Sequence, residues 1–157
     1  MPTPNDTLSS ISLALADEDK DAFAARLGQS FSDWGFAVIS DHGISDDLIE
    51  KAEQMSRAFF ALPEDVKRKY HIPGGGGARG YTPFGTEAAK DSNISDLKEF
   101  WHIGRQLPSG HDFERIMSAN IWPEEVDGFR DCYLKLFAAF DTAGQRILEA
   151  IARFLKL

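Results

Sequence analysis

The sequence has one cysteine, Cys132, in 157 residues. That excludes an intramolecular disulfide and a thiolate zinc site, both of which need further cysteines, and it fits a reducing compartment. Long apolar runs are missing too: no stretch approaches the ~20 residues that span a bilayer. The start, "MPTPNDTLSS", lacks the basic-then-apolar layout of a signal peptide. Basic charge is scarce, with 17 Lys and Arg against 25 Asp and Glu and a net charge of −8. A general nucleic-acid binder needs a basic face, and none is concentrated here. The one basic cluster, Lys67-Arg68-Lys69, sits beside Glu64 and Asp65 and reads as a solvated helix face. The expectation is a soluble, cytoplasmic protein with no nucleic-acid or membrane partner.

Metal-ligand spacing is also absent. The four histidines are His42, His71, His102 and His111, and two places after them stand Ile44, Pro73, Gly104 and Phe113. None makes the His-x-Asp/Glu pair of non-haem iron sites or a His-Glu-x-x-His zinc helix. Asp41-His42 therefore reads as a turn, since sequential side chains diverge and no third ligand is identifiable.

What is present is a chain long enough for one domain that buries about two-thirds of its unfolded surface. "LSSISLAL" (8–15) is a short, β-compatible segment. From Asp17 the pattern turns helical, with Phe23, Leu27, Phe31 and Trp34 on one face and Gly35 as the stop. "FAVIS" (36–40) predicts a buried strand. Ser45 is a good N-cap for a helix carrying Leu48, Ala52, Met55 and Phe59 and ending near Leu62. Pro63 suits the first position of a short helix, "PEDVKRKY". "DLKEFWHIGR" (96–105) predicts a strand with Phe100 and His102 on one face and Glu99, Trp101 and Ile103 on the other. Trp122-Pro123 reads as a helix entry, and Glu124-Glu125 as charges favoured by the helix N-terminus. A long amphipathic helix then runs over 124–157, its stripe including Phe129, Tyr133, Phe137, Phe140, Ile147, Leu148 and Leu155, with no Gly or Asn cap at its end. Cys132, inside that helix, reads as a small buried hydrophobe.

Between Ile72 and Gly85 the chain reads "IPGGGGARGYTPFG". Four glycines in a row have high backbone entropy and nothing to pack, which predicts a mobile loop. A phosphate loop is not supported, because no Gly-Lys-Ser/Thr follows and no strand feeds a helix opened by these glycines. At the loop's edge, Arg79 and Tyr81 offer a guanidinium and a phenol to a carboxylate-bearing ligand. The other reading of the same pair is Tyr81 packing as a loop anchor with Arg79 in solvent.

Several stretches, in this order, resemble the N-terminal region of the isopenicillin N synthase-like iron(II)/2-oxoglutarate-dependent dioxygenases. They are "WGFAVISDHGIS", "FFALPEDVKRKY", "RGYTPFGTE", "DLKEFWHIGRQLP" and "NIWPEEVDGFRDCYLKL". The family's usual start is replaced here by "LSSISLAL", and Asp41 stands where asparagine is common. The resemblance implies an α+β chain: the helical N-terminal region of a double-stranded β-helix (jelly-roll) oxygenase, one domain over 1–157, mixed over 8–120 and helical over 124–157. It implies that the catalytic barrel, with its iron ligands and the Arg-x-Ser that binds 2-oxoglutarate, is largely absent from this chain, since neither motif occurs. The complete protein would then be an oxidoreductase using Fe(II) and 2-oxoglutarate on a small-molecule substrate, by hydroxylation, oxidative cyclisation or an ethylene/succinate-forming reaction. No catalytic or metal residue is expected in this chain, and no cofactor is expected to bind it alone. Arg79 and Tyr81 are the substrate-contact candidates, lying near the substrate end of the barrel by resemblance. The alternative is a truncated, non-catalytic homologue that dimerises or binds a partner through the exposed face of the long helix.

Overall fold

The computed structural model describes residues 8–86 and 96–157. These residues form two compact units: one is the chain up to Asp46 together with Ala138–Leu157, the other is Asp47–Phe137.

In the first unit, β1 (Ile11–Ser12) pairs in parallel with β2 (Ile39–Ser40), with Ile11 opposite Ile39. A short helix, α1 (Leu15–Glu18), leads into α2 (Lys20–Trp34). Asp19 caps α2, its carboxylate accepting the backbone N–H groups of Asp21 and Ala22 at 3.0 and 2.9 Å. This satisfies two of the helix's orphan donors. Gly35, at φ +78°, ends α2 by donating its N–H to the Phe31 carbonyl, the left-handed stop that glycine takes without a Cβ penalty. Phe23, Ala24 and Leu27 on α2 bury against Ile11, Leu13, Ala143 and Ala150. Burial of a Phe or Leu side chain at this depth contributes about 1.5–3 kcal/mol. The strand expected over 36–40 is shorter and less buried, because Phe36 and Val38 are exposed and only Ile39 and Ser40 join the ladder.

The Asp41-His42-Gly43 segment is a turn. Asp41 and Gly43 have φ +51° and +75°, and His42 Nδ1 accepts the Ile44 N–H at 3.1 Å. Aspartate is one of the few non-glycine residues that visits the left-handed region readily.

α3 (Asp46–Phe60) begins directly after Ser45 and buries Ala52 and Phe59 on the expected face. In the second unit, α4 (Glu64–Arg68) starts one residue later than predicted, with Pro63 as its extended N-cap. β3 (Gly80–Thr82) and β4 (Phe100–His102) form an antiparallel ribbon in which Tyr81 faces Trp101. A 3₁₀ turn covers Asp112–Arg115.

The long helix, α5 (Phe129–Leu155), begins five residues later than the sequence pattern suggests. Gly128 sits at φ +75°, which an α-helix does not accommodate, so residues 124–126 form bends and 127–128 a turn instead. The expectation of an uncapped end is also corrected. Lys156 takes φ +58°, its N–H bonds to the Arg153 carbonyl, and the Leu157 N–H bonds to the Ala152 carbonyl. That is a Schellman closure with lysine in glycine's usual place. The helix stripe divides: Phe129, Ala143 and Ala150 are buried, whereas Phe140, Leu148 and Leu155 are exposed.

Candidate functional site

The second unit is built around Phe59, at the end of α3. Its ring meets Phe60, Tyr70, Tyr81, Trp101 and Phe129, with centroids 4.7–6.2 Å apart and mostly edge-on. Edge-to-face packing satisfies the rings' quadrupoles and adds about 0.5–1.5 kcal/mol per pair beyond burial.

An ion pair is sunk into this cluster. Lys67 Nζ lies 2.7 Å from Glu99 Oε2 and also donates to the Phe60 carbonyl at 3.2 Å. Tyr81 donates its hydroxyl to the same carboxylate oxygen at 2.5 Å. The Glu99 carboxylate thus ties α4 and β3 to the residue preceding β4, and Lys67 carries the link on to the end of α3. The reading of Lys67-Arg68-Lys69 as a solvated face holds for Arg68 and Lys69, which pair with Glu64 and Glu125, but not for Lys67, which is only 7% exposed. A buried lysine requires a buried partner, and Glu99 stands too far along the chain for local pattern to reveal it.

Tyr81, 1% exposed, has its phenol pKa pushed up, first by burial and then by the bond to Glu99. Tyr70 is raised for the same reasons, burial first and then its bond to Glu125, to which it donates at 2.6 Å. Tyr70 also accepts the Glu124 N–H at 2.9 Å. The two glutamates therefore hold Tyr70 rather than open α5. Tyr133, raised by burial, shares a short hydrogen bond with Ser56 and donates to the Ala52 carbonyl at 2.9 Å. A cavity of about 190 Å3 is lined by Ser56, Glu99, Trp101 and Tyr133 together with Phe60 and Phe129.

The glycine run is a chain of turns. Gly74, Gly76 and Gly77 all have positive φ, and the N–H groups of Gly75 and Ala78 bond three residues back. His102 Nδ1 donates to the Gly77 carbonyl, and His71 Nδ1 donates to the Tyr81 carbonyl at 3.2 Å. A hollow of about 310 Å3 lies beside the run, lined by His71, Ile72, Gly77, Thr82 and Thr86.

Of the two sequence-predicted contacts, Tyr81 lies in the core with its hydroxyl on Glu99. Arg79, half-buried, has its Nε donating to the Ser118 carbonyl at 3.0 Å and Nη1 to the Ala78 carbonyl at 2.5 Å. Nη2 makes no hydrogen bond or ion pair among the described residues. Arg79 precedes β3 whereas Tyr81 lies within it, and the two side chains share no hydrogen-bond partner among the described residues. Lys67 and Glu99 are the polar pair that sequence reasoning missed. The signal available was the strand alternation that put Glu99 on the Trp101 face.

Among the described residues no cluster of three or more His, Cys, Asp or Glu is placed to hold a metal ion. The histidines are dispersed, and each Nδ1 is engaged with backbone: His42 and His111 accept N–H groups, His71 and His102 donate to carbonyls. Among the described residues these four histidines belong to no three-ligand group.

The class of protein follows from this fold and from the chain's relatives. The chain belongs to the family described as non-haem dioxygenase in morphine synthesis N-terminal, whose model matches residues 8–125. It is similar to a protein of Caulobacter crescentus assigned to the 2OG-Fe(II) oxygenase family. That match has 44% identity and a TM-score of 0.86, and covers 98% of this chain and 50% of that one. The full-length Neurospora crassa T7H in complex with alpha-KG shares the fold, with 23% identity and a TM-score of 0.77 over all of this chain and 50% of that one. Among curated proteins, it is 30% identical over 130 residues to homoarginine-6-hydroxylase 2-ODD-C23.1 of Arabidopsis thaliana, covering 81% of this chain and 39% of that protein. It is 32% identical over 145 residues to the proline hydroxylase buaE of Petromyces alliaceus, covering 88% and 43%. The chain thus spans less than half the length of these curated relatives.

Proposed function

We propose that this chain is the N-terminal, substrate-side region of an iron(II)/2-oxoglutarate-dependent dioxygenase that oxidises a small molecule. The observation that supports it most is the family match over residues 8–125, with a 44%-identical oxygenase-family structure superposing on nearly the whole chain. In such enzymes the metal and cosubstrate supply the oxidation, and the surrounding protein positions the substrate. In this chain the positioning part falls to Arg79, whose free Nη2 edge would take a substrate carboxylate, a geometry guanidinium matches well. Tyr81 would fix β3, the strand that directly follows Arg79, through its bond to Glu99. Two relatives are named hydroxylases of homoarginine and proline, both of which carry a carboxylate, and hydroxylation of such a compound is the favoured reaction. Oxidative cyclisation and ethylene/succinate formation are the alternatives.

Two measurements test this. An immunoblot of source cells with antibody against residues 17–70 should show a polypeptide about twice the 17.4 kDa of this chain, as expected if a barrel follows. That polypeptide, supplied with Fe(II), 2-oxoglutarate and a panel of amino acids, should form succinate in step with one of them. A native band at the size of this chain, or no coupled turnover with any carboxylate substrate, would overturn the proposal.

The exposed Phe140, Leu148 and Leu155 on α5 favour a second reading, a non-catalytic module that self-associates through that face. Light scattering that finds a monomer at all working concentrations rejects it.

A further inference from the structure

Arg79 lies flat against the backbone at Gly104. A Cβ built on Gly104 would fall far inside contact distance of the guanidinium, with Nη2, Cζ and Nε as its three nearest atoms. Gly104 is not at positive φ, so its lack of a side chain answers to this contact rather than to backbone conformation. The backbone here is itself held. Asn120 accepts the Gly104 N–H at 2.8 Å through Oδ1 and donates to the Gly104 carbonyl at 2.8 Å through Nδ2. A side-chain amide thus pairs with this residue as a neighbouring strand would. Two residues earlier in the chain, the Ser118 carbonyl takes the Arg79 Nε–H. The segment 118–120 therefore grips the guanidinium edge and the surface beneath it at once.

We infer that Gly104 and Asn120 are positioning residues that form a seat for the Arg79 guanidinium, fixing its plane while Nη2 keeps no hydrogen-bond partner among the described residues. This deepens the proposed function and rests on it only for what Nη2 would contact. A long arginine side chain that is already ordered loses less rotamer freedom when a carboxylate docks. With an unseated guanidinium, binding would have to order the side chain first.

The test uses the full 157-residue chain labelled with 15N. The Arg79 Nε–H signal is identified by its loss in Arg79→Lys. In the wild type it should be a separate, slowly exchanging resonance, reporting the bond to Ser118. Gly104→Ala should collapse it into the exchange-averaged arginine envelope, and Asn120→Ala should shift it in the same direction. Gly144→Ala, at a helix position with open space around it, should leave it unchanged. Because Gly104→Ala could lower stability broadly, its melting-temperature loss is also measured in an Arg79→Ala background. If the clash is with the guanidinium, most of that loss disappears, as coupled neighbours require. An unchanged Arg79 signal in Gly104→Ala, or the same loss with and without Arg79, overturns the seat. A titration with succinate separates this from the broader reading. A perturbed Arg79 signal supports both, whereas a silent titration with the seat intact rejects only the carboxylate contact.

Discussion

Lys67 and Glu99 share a site where neither charge is well solvated, and their side chains are 9% and 15% exposed. Removing one partner leaves the other buried and unpaired, which costs more than the pair contributes by existing. Lys67→Met is therefore expected to lower the unfolding free energy by about 3–5 kcal/mol at neutral pH. The double variant with Glu99→Gln should lose less than the sum of the singles, as urea denaturation would show. Tyr81 carries a pH dependence of definite sign. Its folded pKa lies above the unfolded value near 10.0, so the stability it contributes is complete below about pH 10 and falls as pH rises toward the folded pKa. Melting temperatures followed upward from about pH 9 should fall steeply in the wild type and less steeply in Tyr81→Phe. At this scale local pattern did well where partners are near: Gly35 as a stop and Asp41-His42 as a turn are signalled by their neighbours. It failed for Lys67, Glu124 and Glu125, whose partners come from distant segments, so that adjacent charges suggested a solvent face or a helix dipole instead.

Glycines set the elements apart. Gly80 opens β3 at φ +71°, and a Cβ there would press on Ile121 and lie 2.6 Å from the Tyr70 carbonyl. Gly144, inside α5, has nothing within 4 Å of such an atom. The same substitution should thus act oppositely. Gly80→Ala combines backbone strain with a clash against main chain and is expected to cost about 2 kcal/mol or more. Gly144→Ala should stabilise by about 0.5–1 kcal/mol through helix propensity alone. Thermal melts of the two variants side by side decide it, and a Gly144→Ala protein no more stable than wild type would contradict the account. The helices α2 and α3 were legible because apolar residues recur on one buried face, as with Phe23 and Leu27 or Ala52 and Phe59. The start of α5 was not legible: apolar spacing continues through Val126, and only the positive φ of Gly128 breaks it. Strand alternation separated Trp101 from Phe100 and His102 without saying which face is inner, and the face with Trp101 packs on Phe59. The seat under Arg79 has no local signature at all, being assembled from residues 79, 104, 118 and 120.

Among the described residues there are two apolar centres, one gathered on Phe23 and Leu27 and the other on Phe59. α5 supplies residues to both, Phe129 to the second and Ala143 and Ala150 to the first. Phe59→Ala removes the ring shared by five aromatic neighbours and should cost about 3–5 kcal/mol. Far-ultraviolet circular dichroism during urea titration would register the earlier transition. Among the described residues no helix is long and apolar enough to cross a membrane. The one thiol of the chain, at Cys132, is buried in the first turns of α5 within the unit built on Phe59. A thiol-reactive dye can reach it only when its surroundings open. Cys132 is therefore a natural clock. Its labelling half-time measures the opening around Cys132 without an engineered probe, and should shorten in Phe59→Ala, in the same unit.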